Sequence, residues 1–253
     1  MKAATILDLK HGLMADFSNE KYPCQVYGVI GGNGNGKGNG VDGLILPHGG
    51  TAYGFVQSGN IHVLGSGHGG SFMTPVTSNE YFSAPGKNGI KVLASKDARA
   101  FFAYRLDFMG LRHLGGPVEQ IGRLKYIDGC SDTLLIPPPL LGDPCFNLLH
   151  FPAGITQTKH THPTVRCGLI HGGKGRCITE DGEEDLLPGR MFILAPDAIH
   201  AFVTEGSSMD LTVFHPDTDF GPTHENHPML NRTIVDGISA KSMDEIRTKE
   251  IRQ

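Results

Sequence analysis

His160 and His162 stand two apart at the end of the stretch Gly154-Ile155-Thr156-Gln157-Thr158-Lys159-His160-Thr161-His162, and a third histidine, His200, closes Ala195-Pro196-Asp197-Ala198-Ile199-His200. In extended backbone, residues two apart point to the same side, so the paired imidazoles would project into one space. Side by side in an apolar interior they are costly unless their lone pairs are used, and a metal ion uses them well. A His-x-His pair also arises by chance in a chain with 13 histidines, at a surface or as a satisfied core pair. The third histidine, at a turn leading into another strand, makes a three-imidazole set with open positions. That is the donor set of a catalytic-type zinc, iron, manganese, nickel or copper site.

Other candidates carry less. Gly31-Gly32-Asn33-Gly34-Asn35-Gly36-Lys37 has the spacing of a phosphate-binding loop, but Gly38 stands where Ser or Thr would hold magnesium, and no helical pattern comes after it. Gly and Asn tolerate left-handed backbone, so a surface loop explains the stretch. His215 ends an apolar strand and is placed to reach a barrel mouth as a proton carrier or as a group behind the ligands. His224 and His227 fall in a loop rich in Pro, Asp and Asn and read as solvated.

The elements that must position the histidines are strands. Strand-like segments recur at Gln25–Ile30, Tyr53–Gln57, Ile61–Leu64, Ile90–Leu93 and Phe101–Leu106. They resume at Leu134–Ile136, Asn147–Phe151, Val165–Ile170, Arg176–Thr179, Met191–Leu194, Ala201–Thr204 and Leu211–Phe214. Most are bounded by Gly, Pro, Asn or Asp. Helical periodicity is sustained only in the tail, where Ser242 and Glu245 form a capping box and Met243, Ile246 and Ile251 make an apolar stripe. The two halves read as loose copies of one another, each with a strand ending in a glycine turn and a later Ala-Pro approach (Ala84-Pro85; Ala195-Pro196). The join falls near Gly110 to Pro117.

Composition agrees with that plan. The chain has 253 residues with 35 glycines and 16 prolines spread along it, which suits short strands joined by tight turns. A net charge of −4 gives no reason to expect nucleic acid or an anionic membrane as partner. Five cysteines with no CxxC pair argue against a disulfide framework and for a reducing compartment. The apolar run Ala3 to Leu7 is too short for a signal-peptide core, and no run approaches the length of a membrane span. A cytoplasmic protein is expected.

With these spacings in view, the chain resembles the cupin superfamily. Its first motif is a glycine, five residues, HxH, three or four residues, a glutamate, six residues and a glycine. Gly154, His160, His162 and Gly173 fill it, with Arg166 in the glutamate slot. The second motif is met by Gly189, Pro196 and His200, with Ala198 in place of the usual glycine and Thr204 where asparagine is common. The resemblance is specific over Gly154 to Gly206 and weak before it, where there is no HxH and no histidine after Ala84-Pro85. It implies an all-β chain of two cupin-type jelly-roll (double-stranded β-helix) barrels with a short C-terminal helix. The expected pieces are a degenerate N-terminal barrel at 1–112, a metal-binding barrel at 113–235 and a helical tail at 236–253.

Arg166 changes what the resemblance implies. Arginine has five donors and no acceptor and cannot ligate a metal. Strand alternation points it inward, and a divalent ion plus a guanidinium total about +3 with nothing to offset them, so the site should attract an anion that bridges both. The competing expectation is an outward salt bridge to Glu180 or Asp185. Cys167 should face the opposite side of the strand as a small core residue, with His171 beside it and not a ligand. Superfamily members with three histidines and no carboxylate ligand include thiol and diketone-cleaving dioxygenases, which favours Fe(II). The resemblance therefore implies an Fe(II) dioxygenase acting on a small anionic, carboxylate-type substrate, with Arg166 and His215 as its functional side chains. A non-oxidative isomerase or lyase and a non-enzymatic ligand-binding or sensor barrel are the alternatives. Uncovered strand edges suggest a homodimer.

Overall fold

The computed structural model describes residues 2–32 and 42–251, so most of the Gly31–Gly40 loop lies outside the described residues. The chain opens with β1 (Ala4–Asp8). Next come β2 (Gly12–Phe17), β3 (Cys24–Ile30), β4 (Asp42–Leu46), β5 (Gly50–Ser58), β6 (Asn60–Gly67), β7 (Gly70–Thr77), β8 (Tyr81–Gly86), β9 (Ile90–Ala94), β10 (Arg99–Leu106) and β11 (His113–Gly115). The second half adds β12 (Leu124–Lys125), β13 (Ser131–Ile136), β14 (Cys145–Phe151), β15 (Arg166–Gly173), β16 (Gly175–Thr179), β17 (Gly182–Leu186), β18 (Arg190–Leu194), β19 (His200–Val203) and β20 (Met209–His215). The all-β expectation is met.

Pairing sorts these strands into rolled antiparallel sheets. One runs β2-β3-β10-β5-β8-β6-β9-β4, with β11 on β8 and β7 on β6; the other runs β1-β18-β15-β20-β14-β13-β12, beside a small β17-β16-β19 sheet. The division therefore differs from a cut at residue 112. Residues 4–8 pair with β18, Ala4 opposite Leu194 and Asp8 opposite Arg190, while β11 stays with the first sheet. The reason is apolar patterning. Ala4 and Ile6 bury inside the second sheet, and β1 covers what would otherwise be an open edge of β18.

Among the described residues, three apolar cores result. Val29, Ala52, Val63, Phe82, Phe102 and Tyr104 belong to the filling of the first sheet. Phe151, Phe192, Phe202 and Leu211 fill part of the second. Between the two sheets pack Tyr53, Phe55 and Phe101 from one side and Phe146, Cys167, Leu169 and Phe214 from the other. Alternation on β15 sets the direction of each of its side chains: Cys167 and Leu169 serve the inter-sheet core, so Arg166 and Gly168 turn to the inside of the second sheet. All five cysteines are buried and none is in a disulfide.

Residues 138–143 and 218–251 form a separate compact unit. Within it Leu141 N–H donates to Pro222 O at 2.9 Å, and β21 (Ile234–Val235) pairs with β22 (Ile238–Ser239) across Asp236-Gly237, both at positive φ as a tight hairpin turn needs. The expected tail helix is not there. Helical structure is confined to single 3-10 turns at Leu230–Arg232 and Ala240–Ser242, and Met243 leaves the helical region at φ −116, ψ 81. The capping box supplies a start, but a segment this short is marginal in water without an apolar surface to lie on, and Ile246 and Ile251 are exposed. No helix among the described residues is long and apolar enough to cross a membrane.

Candidate metal centre

The two histidine segments meet through their backbones. His160 N–H donates to His200 O and His200 N–H to His160 O, both at 3.0 Å, and Asp197 N–H donates to His162 O at 2.7 Å. The same pairing continues outward, with Gln157 N–H on Phe202 O at 3.1 Å and Thr204 N–H on Ile155 O at 2.9 Å. The buried Gln157 returns its Oε1 to Phe202 N–H at 3.2 Å, and Asp128 receives Thr158 N–H at 2.6 Å. His160 and His162 thus lie in an extended loop bridged to β19, not in a regular strand, yet they keep the common side that strand spacing predicts. The turn before His200 places its left-handed residue at Asp197, φ 57, so Ala198 need not be glycine. The motif glycines Gly154, Gly173 and Gly189 all have positive φ.

The outcome is one cluster. Ligand atoms of His160, His162 and His200 all lie within 4.8 Å of one another, and ring centroids are 4.4 Å apart for His160–His200, 5.0 Å for His160–His162 and 5.2 Å for His162–His200. Two tautomers are fixed by hydrogen bonds. His160 Nδ1 lies 2.8 Å from Thr158 O, and His200 Nδ1 lies 2.9 Å from Ala198 O. A carbonyl only accepts, so each Nδ1 carries a proton, and Nε2 is the ring nitrogen left to face an ion. Burial, then Arg166 and the neighbouring imidazoles, pushes His162 down to about 3. Burial likewise takes His200 down to about 4, opposed by its bond to Ala198. Neutral imidazoles with free lone pairs are what a divalent ion requires, so the cluster is able to hold one.

Arg166 comes to the same chamber. It is 8% exposed, and Nη1 donates to Thr164 O at 3.2 Å, to Val165 O at 3.1 Å and to Thr164 Oγ1. The Thr164 hydroxyl donates in turn to Asp217 Oδ1 at 2.6 Å, so Asp217 faces the guanidinium through an intermediary. Nε is buried without a partner. The outward salt bridge to Glu180 or Asp185 is not formed; the nearby arginine that does pair with acids is Arg176, with Glu183 and Glu205 at 2.6 Å each. The positive charge of Arg166 contributes to holding His162, His200 and His215 neutral.

His215 lies beside the cluster, its ring 6.5 Å from that of His162, and burial together with Arg166 and His162 drives it well below the usual imidazole range. Cys167 is fully buried in the inter-sheet core, and His171 stacks on Phe55 at 4.8 Å, away from the cluster. His224 and His227 are exposed in the separate unit.

Several residues escaped sequence reasoning. Asn147 is 6% exposed; its Nδ2 donates to Asp132 Oδ2 at 2.9 Å while its Oδ1 is buried without a partner. Burial raises the Asp132 carboxyl. Burial and Asp132 raise the Tyr126 hydroxyl, opposed by Arg166. The available signal was a polar residue in the middle of the apolar run Cys145–Phe151.

Comparisons with known proteins bear on the fold. The family model for the AraC-like ligand binding domain matches residues 149–220, the span that carries the three histidines and Arg166. A cupin 2 conserved barrel domain protein from Leptotrichia buccalis superposes with a TM-score of 0.55 at 11% identity, covering 85% of this chain and 97% of that one. Protein YlbA from E. coli gives 0.54 at 16% identity, covering 87% and 84%. A mutant of salicylate 1,2-dioxygenase from Pseudoaminobacter salicylatoxidans gives 0.51 at 10% identity, covering 76% and 70%. No curated protein matches the sequence. The chain has the cupin fold.

Proposed function

We propose that this protein is a metal-dependent enzyme, an Fe(II) dioxygenase acting on a small anionic, carboxylate-type substrate. The observation that carries the reading is Arg166: a guanidinium 8% exposed, with no direct ion pair among the described residues and an unpartnered Nε, in the chamber of the three clustered imidazoles. A buried charge of this kind is stable only when something meets it, and Asp217 does so only through Thr164. A ligand anion completes the arrangement, with bidentate bonding as the strongest form.

His160, His162 and His200 would hold the metal, which when bound supplies Lewis acidity and a route for oxygen to react. The resemblance to three-histidine dioxygenases favours iron, while zinc, manganese, nickel and copper also suit imidazole. Arg166 binds and orients the anion, so that reacting atoms start close together. His215, held neutral by burial, is placed as a proton carrier or as a group behind the ligands. Phe202, whose ring is 5.7 Å from that of His200, walls the chamber against water. The fold relationship to a salicylate dioxygenase supports this reading without carrying it.

The test is elemental analysis of the purified protein followed by oxygen consumption with a panel of small carboxylates. Iron with carboxylate-dependent oxygen uptake supports the proposal. Turnover without oxygen overturns it in favour of an isomerase or lyase, and tight binding with no turnover in favour of a sensor. A homodimer belongs to the same proposal: β12 ends its sheet and leaves Ile121 and Leu124 exposed, and sedimentation at micromolar concentration decides it.

A further inference from the structure

The unpartnered carbonyl of Asn147 lies in the same interior as Arg166, and strand register says how near. Asn147 is paired with Val213, and Val213 with Gly168, across the β14-β20-β15 ladder. His215 is two residues from Val213 and Arg166 two residues from Gly168, so all share the inward face. Asn147 is therefore a diagonal neighbour of His215, at the separation over which side chains on one face still touch, and Arg166 stands in the row of His215 on the far side of the same strand.

Asp132 decides which way the amide faces. Asn147 Nδ2 donates to Asp132 Oδ2 at 2.9 Å, which turns Oδ1 away from the carboxylate. Oδ1 is left buried with no donor, and Arg166 Nε is left buried with no acceptor. The two vacancies are opposite in sense: one asks for an anion or acceptor, the other for an O–H or N–H. Groups this deeply buried are ordinarily satisfied.

We propose that Asn147 determines specificity at this site, and that the ligand carries both an anionic group for Arg166 and a hydroxyl or amino hydrogen for Asn147 Oδ1, as a hydroxy or amino carboxylate does. Asp132 is a positioning residue that holds the amide in the accepting orientation. The inference rests on the reading that Arg166 takes the anion.

Calorimetry on the Zn(II)-reconstituted protein tests it, with two probe series: butanoate against its 2-, 3- and 4-hydroxy derivatives, and benzoate against its 2-, 3- and 4-hydroxy derivatives. At least one hydroxy acid is expected to bind about tenfold more tightly than its parent, since a buried acceptor left unpaired penalises the parent. Asn147→Leu should abolish that preference, weakening the hydroxy acid, whose hydroxyl is left without an acceptor, and relieving the parent acid of the unpaired-acceptor penalty. Asp132→Leu should weaken it too, because Asn147 Nδ2 loses the acceptor that fixes the orientation of the amide. Thermal melts check folding, and if Asn147→Leu is unfolded, Asp132→Leu carries the decision. Equal binding of parents and hydroxy acids, or a preference that survives in the folded variant, overturns the role of Asn147 while the anion reading stands. Failure of every acid in both series to bind the wild-type protein overturns the anion reading and this inference together.

Discussion

The main chains of His160 and His200 bond to each other twice, N–H to O in both directions at 3.0 Å, so the two segments that bring the imidazoles together are joined independently of any ion. The scaffold of the site therefore exists before metal arrives, unlike small domains that fold only on binding it. His160→Ala, His162→Ala and His200→Ala are each expected to lose bound metal by elemental analysis while keeping a β-sheet circular dichroism spectrum. Full metal content in the His200→Ala protein would show that the ion sits elsewhere.

Arg166 separates charge, geometry and ligation at one position. Arg166→Lys keeps the charge but loses the planar fork, and substrate binding should weaken by on the order of 1–3 kcal/mol. Arg166→Glu places a carboxylate in the slot that the cupin resemblance gives to a glutamate ligand. It should tighten metal binding and lower turnover, since a second anion now meets the substrate. Chelator competition and steady-state rates read the two effects, and a Glu variant unchanged in both would remove the main support for an anionic substrate.

Gly173 closes the first motif for a steric reason. Its φ is +60, and a Cβ there would overlap the Ser208 carbonyl where β15 meets β20. Gly173→Ala should cost about 2–4 kcal/mol, combining left-handed backbone with a clash against main chain that cannot swing aside. Urea unfolding measures it, and a loss below about 0.5 kcal/mol, the size of an ordinary surface substitution, would mean the turn relaxes freely.

His171 gives the inter-sheet packing a pH dependence. Burial against Phe55 pushes its imidazole from 6.5 down to about 4, opposed by Asp210, and Nε2 has no partner. The fold favours the neutral ring, so the unfolded chain takes up the proton first as pH falls. Stability from this group is whole above the unfolded value of 6.5 and drains away between there and about 4. By about pH 5 the loss should reach about 1–2 kcal/mol relative to a His171→Leu protein, whose unfolding lacks this contribution. Denaturation of both proteins near pH 7.5 and near pH 5 tests it; an unchanged difference between them would show that the ring is not held neutral.

Much of the site was legible because its signals are local. The spacing of His160 and His162 sets a common side in any extended backbone, and the Ala195–Ile199 turn aims His200 into a strand wherever that strand goes. Alternation along Val165–Ile170 sent Arg166 one way and Cys167 the other without knowledge of the partners on either side. What tertiary structure alone decided is who meets whom across long stretches of chain. Nothing within Ala4–Asp8 says that it will cover the edge of β18, because an edge is a property of the assembled sheet. Nothing near Thr164 says that it will relay Arg166 to Asp217, nor near Asn147 that Asp132 will claim one end of its amide and leave the other bare. The tail shows the converse. Ser242 and Glu245 encode a helix start, and local propensity fails there because a helix end stabilises only what packing completes.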